Sequence, residues 1–148
     1  MNRRAALASL IGLGFVLVSF RSPKASAPQM HLVKDPNCGC CTDHAAYLQA
    51  HGFAVTIEES TDLDQIRRQR GIPDHLAGCH SIFVEGYVIE GHVPAAAIRK
   101  LLAERPAIKG IALPGMPPGS PGMSGTREGP LLVLVIDDGI MPRTFWSD

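Results

Sequence analysis

His31-Leu32-Val33-Lys34-Asp35-Pro36-Asn37-Cys38-Gly39-Cys40-Cys41-Thr42-Asp43-His44-Ala45-Ala46-Tyr47-Leu48 is the stretch that decides the fold. Its first four residues read as a short β-strand, and Asp35-Pro36-Asn37 breaks that strand. From Thr42 onward Ala45, Ala46, Tyr47 and Leu48 suit a helix that stops at His51-Gly52. Three of the chain's four cysteines therefore stand at a helix N-terminus. Aligned peptide dipoles and free N–H groups favour a thiolate there, for nucleophilic attack or for metal ligation.

The fourth cysteine is in Cys79-His80, and no other position carries a thiol. Adjacent Cys40 and Cys41 are poor disulfide partners, because neighbouring Cβ atoms point apart and disulfide geometry is demanding. Cys38 with Cys41 has the spacing of a thioredoxin-type redox pair, which leaves Cys40 surplus to a simple dithiol switch. The count favours thiolates gathered around a soft metal, with dithiol redox chemistry as the competitor. Zinc normally takes two Cys-x-x-Cys or Cys/His pairs, and only one such pair exists here. The spacings match no common ferredoxin run. Copper(I) suits the set best and zinc less well.

Outward from this stretch, residues 53–57 read as a second strand, and Ser60-Thr61-Asp62 caps a polar helix through about Arg70. Residues 74–78 read as a turn or short helix. Ser81-Ile82-Phe83-Val84 and Tyr87-Val88-Ile89-Glu90 form a hairpin about Glu85-Gly86. Pro94 then opens a helix whose stripe is Ala97, Ile98, Leu101 and Leu102. The order βαβαββα is that of a thioredoxin or glutaredoxin core, so the expected class is α/β. In that fold the loop entering the third strand faces the start of the first helix. Cys79-His80 occupies this loop, where thioredoxins carry a cis-proline, and the two cysteine clusters are expected to meet. Residues 107–130 are expected to be a loop, rich in Pro, Gly and Met. Residues 131–136 and 140–146 then form a C-terminal hairpin about Asp137-Asp138-Gly139.

The chain has 148 residues, enough for one domain and a leader. Residues 1–27 read as a signal peptide or N-terminal anchor: Arg3 and Arg4, a 16-residue apolar run over 5–20, then Ala25-Ser26-Ala27. The run is shorter than the roughly 20 residues of a bilayer-spanning helix. Pro28 hinders cleavage after Ala27, so an uncleaved signal is the one route to a membrane. The paired arginines also admit twin-arginine export. Residues 28–148 form the expected metal-binding domain. Without the leader the body has 10 basic and 14 acidic residues, a net charge of about −4, and no basic patch for nucleic acid. Export also places the thiols in an oxidising compartment, where they stay useful only with a metal or a redox partner.

His80 reads equally as a ligand beside Cys79 or as a turn residue. His92, at the mouth of the third helix, reads slightly better as a surface turn residue than as a ligand. His31, His44, His51 and His75 read as solvent-facing, although His44, one turn beyond Cys41, is able to reach the site's edge. Met116 and Met123 carry soft thioethers suited to copper, but methionines that fasten a loop onto the core are the commoner case.

The motifs Pro36-Asn37-Cys38-Gly39-Cys40-Cys41, Cys79-His80, Gly86-Tyr87-Val88-Ile89-Glu90-Gly91-His92-Val93-Pro94 and Gly115-Met116-Pro117-Pro118-Gly119-Ser120-Pro121-Gly122-Met123 resemble those of the exported CopG-like copper-resistance proteins. The resemblance covers nearly all of the chain after residue 30. It implies a thioredoxin-like domain that binds copper through thiolates, as a sulfur-bridged multinuclear Cu(I) cluster in the characterised branch, with a part in periplasmic copper redox cycling. The implied ligands are Cys38, Cys40, Cys41 and Cys79, with His80 and His92 in support. The implied partners are copper ions and other periplasmic copper-handling proteins. The rival reading is a thiol-disulfide oxidoreductase with Cys38 as nucleophile and Cys41 as resolving thiol. A zinc-stabilised interaction domain is the third.

Overall fold

The computed structural model describes residues 26–139 and 141–148. The expected signal or anchor therefore lies almost wholly outside the described residues, as does Ile140. In chain order the elements are β1 (Gln29–Lys34), α1 (Gly39–Ala50), β2 (Ala54–Glu59), α2 (Leu63–Gln69), a 3-10 turn (Asp74–Leu76), β3 (His80–Val84), β4 (Tyr87–Glu90), α3 (Ala95–Glu104), β5 (Gly110–Ala112), β6 (Leu132–Ile136) and β7 (Thr144–Ser147). They build a mixed α/β fold on one seven-stranded sheet of order β2-β1-β3-β4-β5-β6-β7.

The sheet pairs β1 with β2 and β4 with β5 in parallel, and its other neighbours are antiparallel. Parallel neighbours need a long crossover. α1 is the crossover between β1 and β2, and α3 is the crossover between β4 and β5. Strand alternation divides the core between the two faces of the sheet. Ile82, Ile89, Ile111 and Val133 pack with Ala45 and Leu48 of α1 and Ile98 and Leu101 of α3. Their neighbours Phe83, Val88, Ala112 and Leu134 face the other side, against Ile72 and Leu76. The sequence-predicted stripe of α3 is buried at Ala97, Ile98 and Leu101, while Leu102 is partly buried against the core.

Two expectations need correction. Residues 107–130 are not all loop, because Gly110–Ala112 is a fully buried strand. The strand is only three residues long, and the Pro/Gly-rich run beyond it masks its pattern. Gly110 there lies so close to β4 that a Cβ would stand 1.8 Å from the Val88 carbonyl oxygen. β5 also joins the C-terminal hairpin to the core sheet. The second correction is the start of α1, which begins at Gly39 with Cys38 as N-cap, so Cys40 and Cys41 are inside the first turn.

The strand break before α1 is tied down locally. The Asp35 carboxylate accepts the Asn37 N–H at 2.8 Å, and Cys38 N–H donates to the Asp35 carbonyl at 3.0 Å. The buried Lys34 ammonium donates to the carbonyls of Asp35 and Pro36 and lies 3.4 Å from Glu59. Its charge is thus matched where it is buried, and it pins the turn that delivers the cysteines. Among the described residues no helix is long and apolar enough to cross a membrane.

Candidate metal centre

Cys79, immediately before β3, meets the cysteines at the start of α1. The sulfurs of Cys38, Cys40, Cys41 and Cys79 lie within 4.8 Å of one another. Cys79 also belongs to a second group with His80 and His92, whose donor atoms are equally close together. Cys79 is thus common to both groups. Cys41 is fully buried on the core side of α1, whereas Cys40 is only half-buried.

Cys38 and Cys41 are joined as a disulfide with Cα atoms 5.5 Å apart, and Cys40 and Cys79 are free. In this state two sulfurs are withheld from ligation. Reduction by an external dithiol, with two electrons and two protons, returns them as thiols. Cys40 Sγ lies 3.5 Å from Cys38 Sγ, within the same sulfur-lined patch. Burial, then the neighbouring Cys40 sulfur, push the Cys79 thiol up to about 12. A soft cation arriving at Cys79 therefore displaces a proton.

A close approach of two glycines aligns Cys79 with His92. A Cβ on Gly78 would stand 2.4 Å from the Gly91 Cα. Each glycine directly precedes one of the two donors, and a hydrogen bond from Gly91 N–H to the His80 carbonyl at 3.0 Å ties the segments together. The buried Arg67–Glu90 pair holds the Gly78 peptide from both ends. Glu90 accepts the Gly78 N–H at 3.0 Å and the Arg67 Nε–H at 3.2 Å, and Arg67 donates to the Gly78 carbonyl at 2.5 Å. Ser81 donates to the other Glu90 oxygen. Burial pushes the Glu90 carboxyl up, against the pull of Ser81, the Gly78 N–H and Arg67.

Three imidazoles close the back of the site. His44, His80 and His92 are all fully buried. Cys79 Sγ lies 3.3 Å from His80 Nδ1 and 3.0 Å from His92 Nε2. Burial, then His92, lowers His44 to about 3. Burial likewise lowers His80 well below its usual value and lowers His92. The donors offered are thus sulfur and neutral imidazole, with no side-chain oxygen in either group. Such a set fits a soft or borderline cation such as copper or zinc and not a hard one.

These imidazoles give the metal-free protein a pH dependence. His44 is neutral when folded but takes a proton below about 6.5 when unfolded, so its stabilising contribution is complete above 6.5 and is lost as pH falls towards about 3. At pH 5 the loss from His44 alone is about 2 kcal/mol. His80 and His92 add in the same direction, while Glu90, raised above 4.5, opposes them. Denaturant unfolding at pH 7 and pH 5 is expected to give the lower midpoint at pH 5.

A family model described as a protein of unknown function, DUF411, matches residues 76–123, from just before Cys79 to Met123. No curated protein matches. Two solved structures do. "Copper resistance protein copG- Form 2" is 36% identical with a TM-score of 0.75, covering 82% of this chain and 98% of that one. "Copper resistance protein copG- Form 1" is 37% identical with a TM-score of 0.74, covering 81% and 96%. The chain belongs to the CopG family.

In this CopG-family chain the six residues singled out from sequence fall into the two overlapping groups. His92 is not the surface turn residue that its loop suggested, since Gly91 folds it inward to donate its Nδ1–H to the Pro121 carbonyl at 2.7 Å. Nor is His44 solvent-facing. It shares the buried face of α1 with Cys41, Ala45 and Leu48, and that i, i+3, i+4, i+7 spacing was the available signal. His31, His51 and His75 are exposed, as expected. Met116 is 44% exposed and Met123 half-buried. Arg67 and Glu90 were not recognised as a pair, because nothing in a sequence separation of 23 residues announces one.

Proposed function

We propose that the protein is an exported, periplasmic copper-binding protein of copper resistance, holding Cu(I) as cargo on Cys38, Cys40, Cys41 and Cys79 of a thioredoxin-like core. His80 and His92 complete the site. The observation that carries this reading is the convergence of four sulfurs within 4.8 Å, three from the start of α1 and one from the loop before β3. The solved CopG relatives, named as copper resistance proteins, supply the choice of metal. Six donors exceed what one Cu(I) ion takes, and a thiolate at Cys79, common to both groups, is suited to bridging two ions. These features support a multinuclear cluster. The order β2-β1-β3-β4, with α1 and α3 packed on one face, supports the thioredoxin-like description. Copper exchange with other periplasmic copper-handling proteins, and copper redox cycling, belong to the same reading.

The Cys38–Cys41 disulfide favours a second reading, a thiol-disulfide oxidoreductase in which a Cys38 thiolate attacks a substrate disulfide and Cys41 resolves the mixed disulfide. Cys40→Ser separates the two. It is expected to lower the number of Cu(I) ions bound per reduced chain, measured by titration with elemental analysis. A dithiol enzyme is expected to keep its disulfide-reductase activity in this variant, with no change in copper uptake.

A further inference from the structure

His44 lies outside the six candidate donors, yet it is fully buried directly behind one of them. Its Nε2 is 3.1 Å from the Val93 carbonyl oxygen, and its Nδ1 is 2.8 Å from Nε2 of His80. A carbonyl oxygen only accepts, so the His44 hydrogen is on Nε2 and is donated to Val93. His44 Nδ1 is then an acceptor, and the hydrogen between the two rings belongs to His80 Nε2. The remaining nitrogen of His80, Nδ1, offers its lone pair 3.3 Å from Cys79 Sγ. His92 is oriented by a separate route: its Nδ1–H is donated to Pro121, which leaves the Nε2 lone pair facing the same sulfur at 3.0 Å. Two backbone carbonyls thus settle which nitrogen each donor ring turns towards Cys79.

We propose that His44 is a positioning residue for the metal centre, accepting the Nε2–H of His80 and so presenting His80 Nδ1 to a cation beside Cys79. The inference rests on the copper-binding reading above. Outer hydrogen-bond acceptors fix the orientation of a ligating imidazole and raise its basicity. Here the acceptor is itself an imidazole anchored to Val93, so the orientation passes from the backbone through two rings without solvent. The His44 ring is restrained from other directions as well. Tyr47 stacks on it with centroids 5.9 Å apart and planes 14° from parallel. Gly122 packs against the main chain that carries the ring, so closely that a Cβ there would stand 2.5 Å from the His44 backbone nitrogen. Burying this polar chain costs desolvation that an aliphatic residue at position 44 would avoid. Ring orientation at the donor is what the histidine supplies in return.

Nitrogen-15 NMR of the reduced, metal-free chain, labelled at histidine, reads the tautomers directly. The expected result is Nε2–H at His80 and Nδ1–H at His92. In His44→Phe, His80 is expected to show a mixture of tautomers, and Cu(I) affinity, measured against a chromophoric chelator, to fall about 10–100-fold. His44→Asn, whose amide oxygen stands in for Nδ1, is expected to recover most of both losses. Should His44→Phe fail to fold, the wild-type tautomers and His44→Asn decide the matter. An Nδ1–H tautomer at His80 in the wild type overturns the proposal. So does undiminished Cu(I) affinity in His44→Phe while His80→Ala binds more weakly. Undiminished affinity in Cys79→Ser and His80→Ala as well overturns the copper-binding reading itself, and the positioning role with it.

Discussion

Cys79→Ser is expected to cost more Cu(I) affinity than any other single substitution at the site. Its sulfur is the member common to the four-cysteine group and to the Cys79, His80 and His92 group. Losing it leaves three cysteines at one helix end and two imidazoles behind them, with no shared donor between. Serine is nearly isosteric but supplies a hard, neutral hydroxyl in place of a soft thiolate. The expected loss exceeds the ~10–100-fold typical of outer hydrogen-bond partners. Competition with a chromophoric chelator measures it, and the number of copper ions per chain is expected to fall in the same experiment. The fold should persist, because Cys79 is a half-buried loop residue rather than part of the main apolar cluster. Unchanged circular dichroism alongside lost copper binding would separate a ligand role from a structural one.

Glu90→Ala is expected to have the largest effect on stability. Glu90 is fully buried and receives Arg67, the Gly78 N–H and the Ser81 hydroxyl together. Removing its carboxylate leaves a guanidinium that is 7% exposed without its buried counter-charge. Breaking a buried pair from one side costs about 3–5 kcal/mol. Arg67 keeps its bond to the Gly78 carbonyl, but its one remaining charged partner among the described residues is Asp64, whose side chain is 81% exposed, and such exposed partners contribute little. Urea unfolding of the metal-free protein should register the loss as a lower midpoint. Replacing both partners by apolar residues, as in Arg67→Met with Glu90→Leu, is expected to recover much of that stability. It should not restore copper affinity, because the Gly78 peptide that carries Cys79 into the site is no longer held at either end. A double variant with full stability and full copper affinity would show that the pair has no part in placing Cys79.

The separation between what stabilises the fold and what shapes the site also marks how far the sequence is readable. Local patterns were enough for α3, because Pro94 and the Ala97, Ile98, Leu101 stripe announce a helix start and an apolar face. They were enough for the β3–β4 hairpin as well. The meeting of Cys79 with the α1 cysteines followed from element order, since that order sets which loop faces which helix end. β5 escaped because three residues, one of them glycine, carry too little alternation to register as a strand. The buried histidines escaped for a different reason. Histidine is only intermediate in its tendency to be buried and is seldom assigned to a core from sequence, and the inward turn of His92 depends on Gly91 meeting Gly78, a contact between segments 13 residues apart. The i, i+3 relation of Cys41 and His44 was visible but had to be weighed against that habit. Long-range pairs such as Arg67 with Glu90 leave no local trace. They become visible only when the sheet brings β4 beside the loop before β3.

The most direct test of the central claim is anaerobic Cu(I) titration of the reduced chain, with elemental analysis and copper-edge X-ray absorption on the loaded protein. More than one Cu(I) per chain is expected, with sulfur as the dominant neighbour. Failure of the reduced chain to take up Cu(I), or uptake with only nitrogen or oxygen neighbours, would contradict that claim.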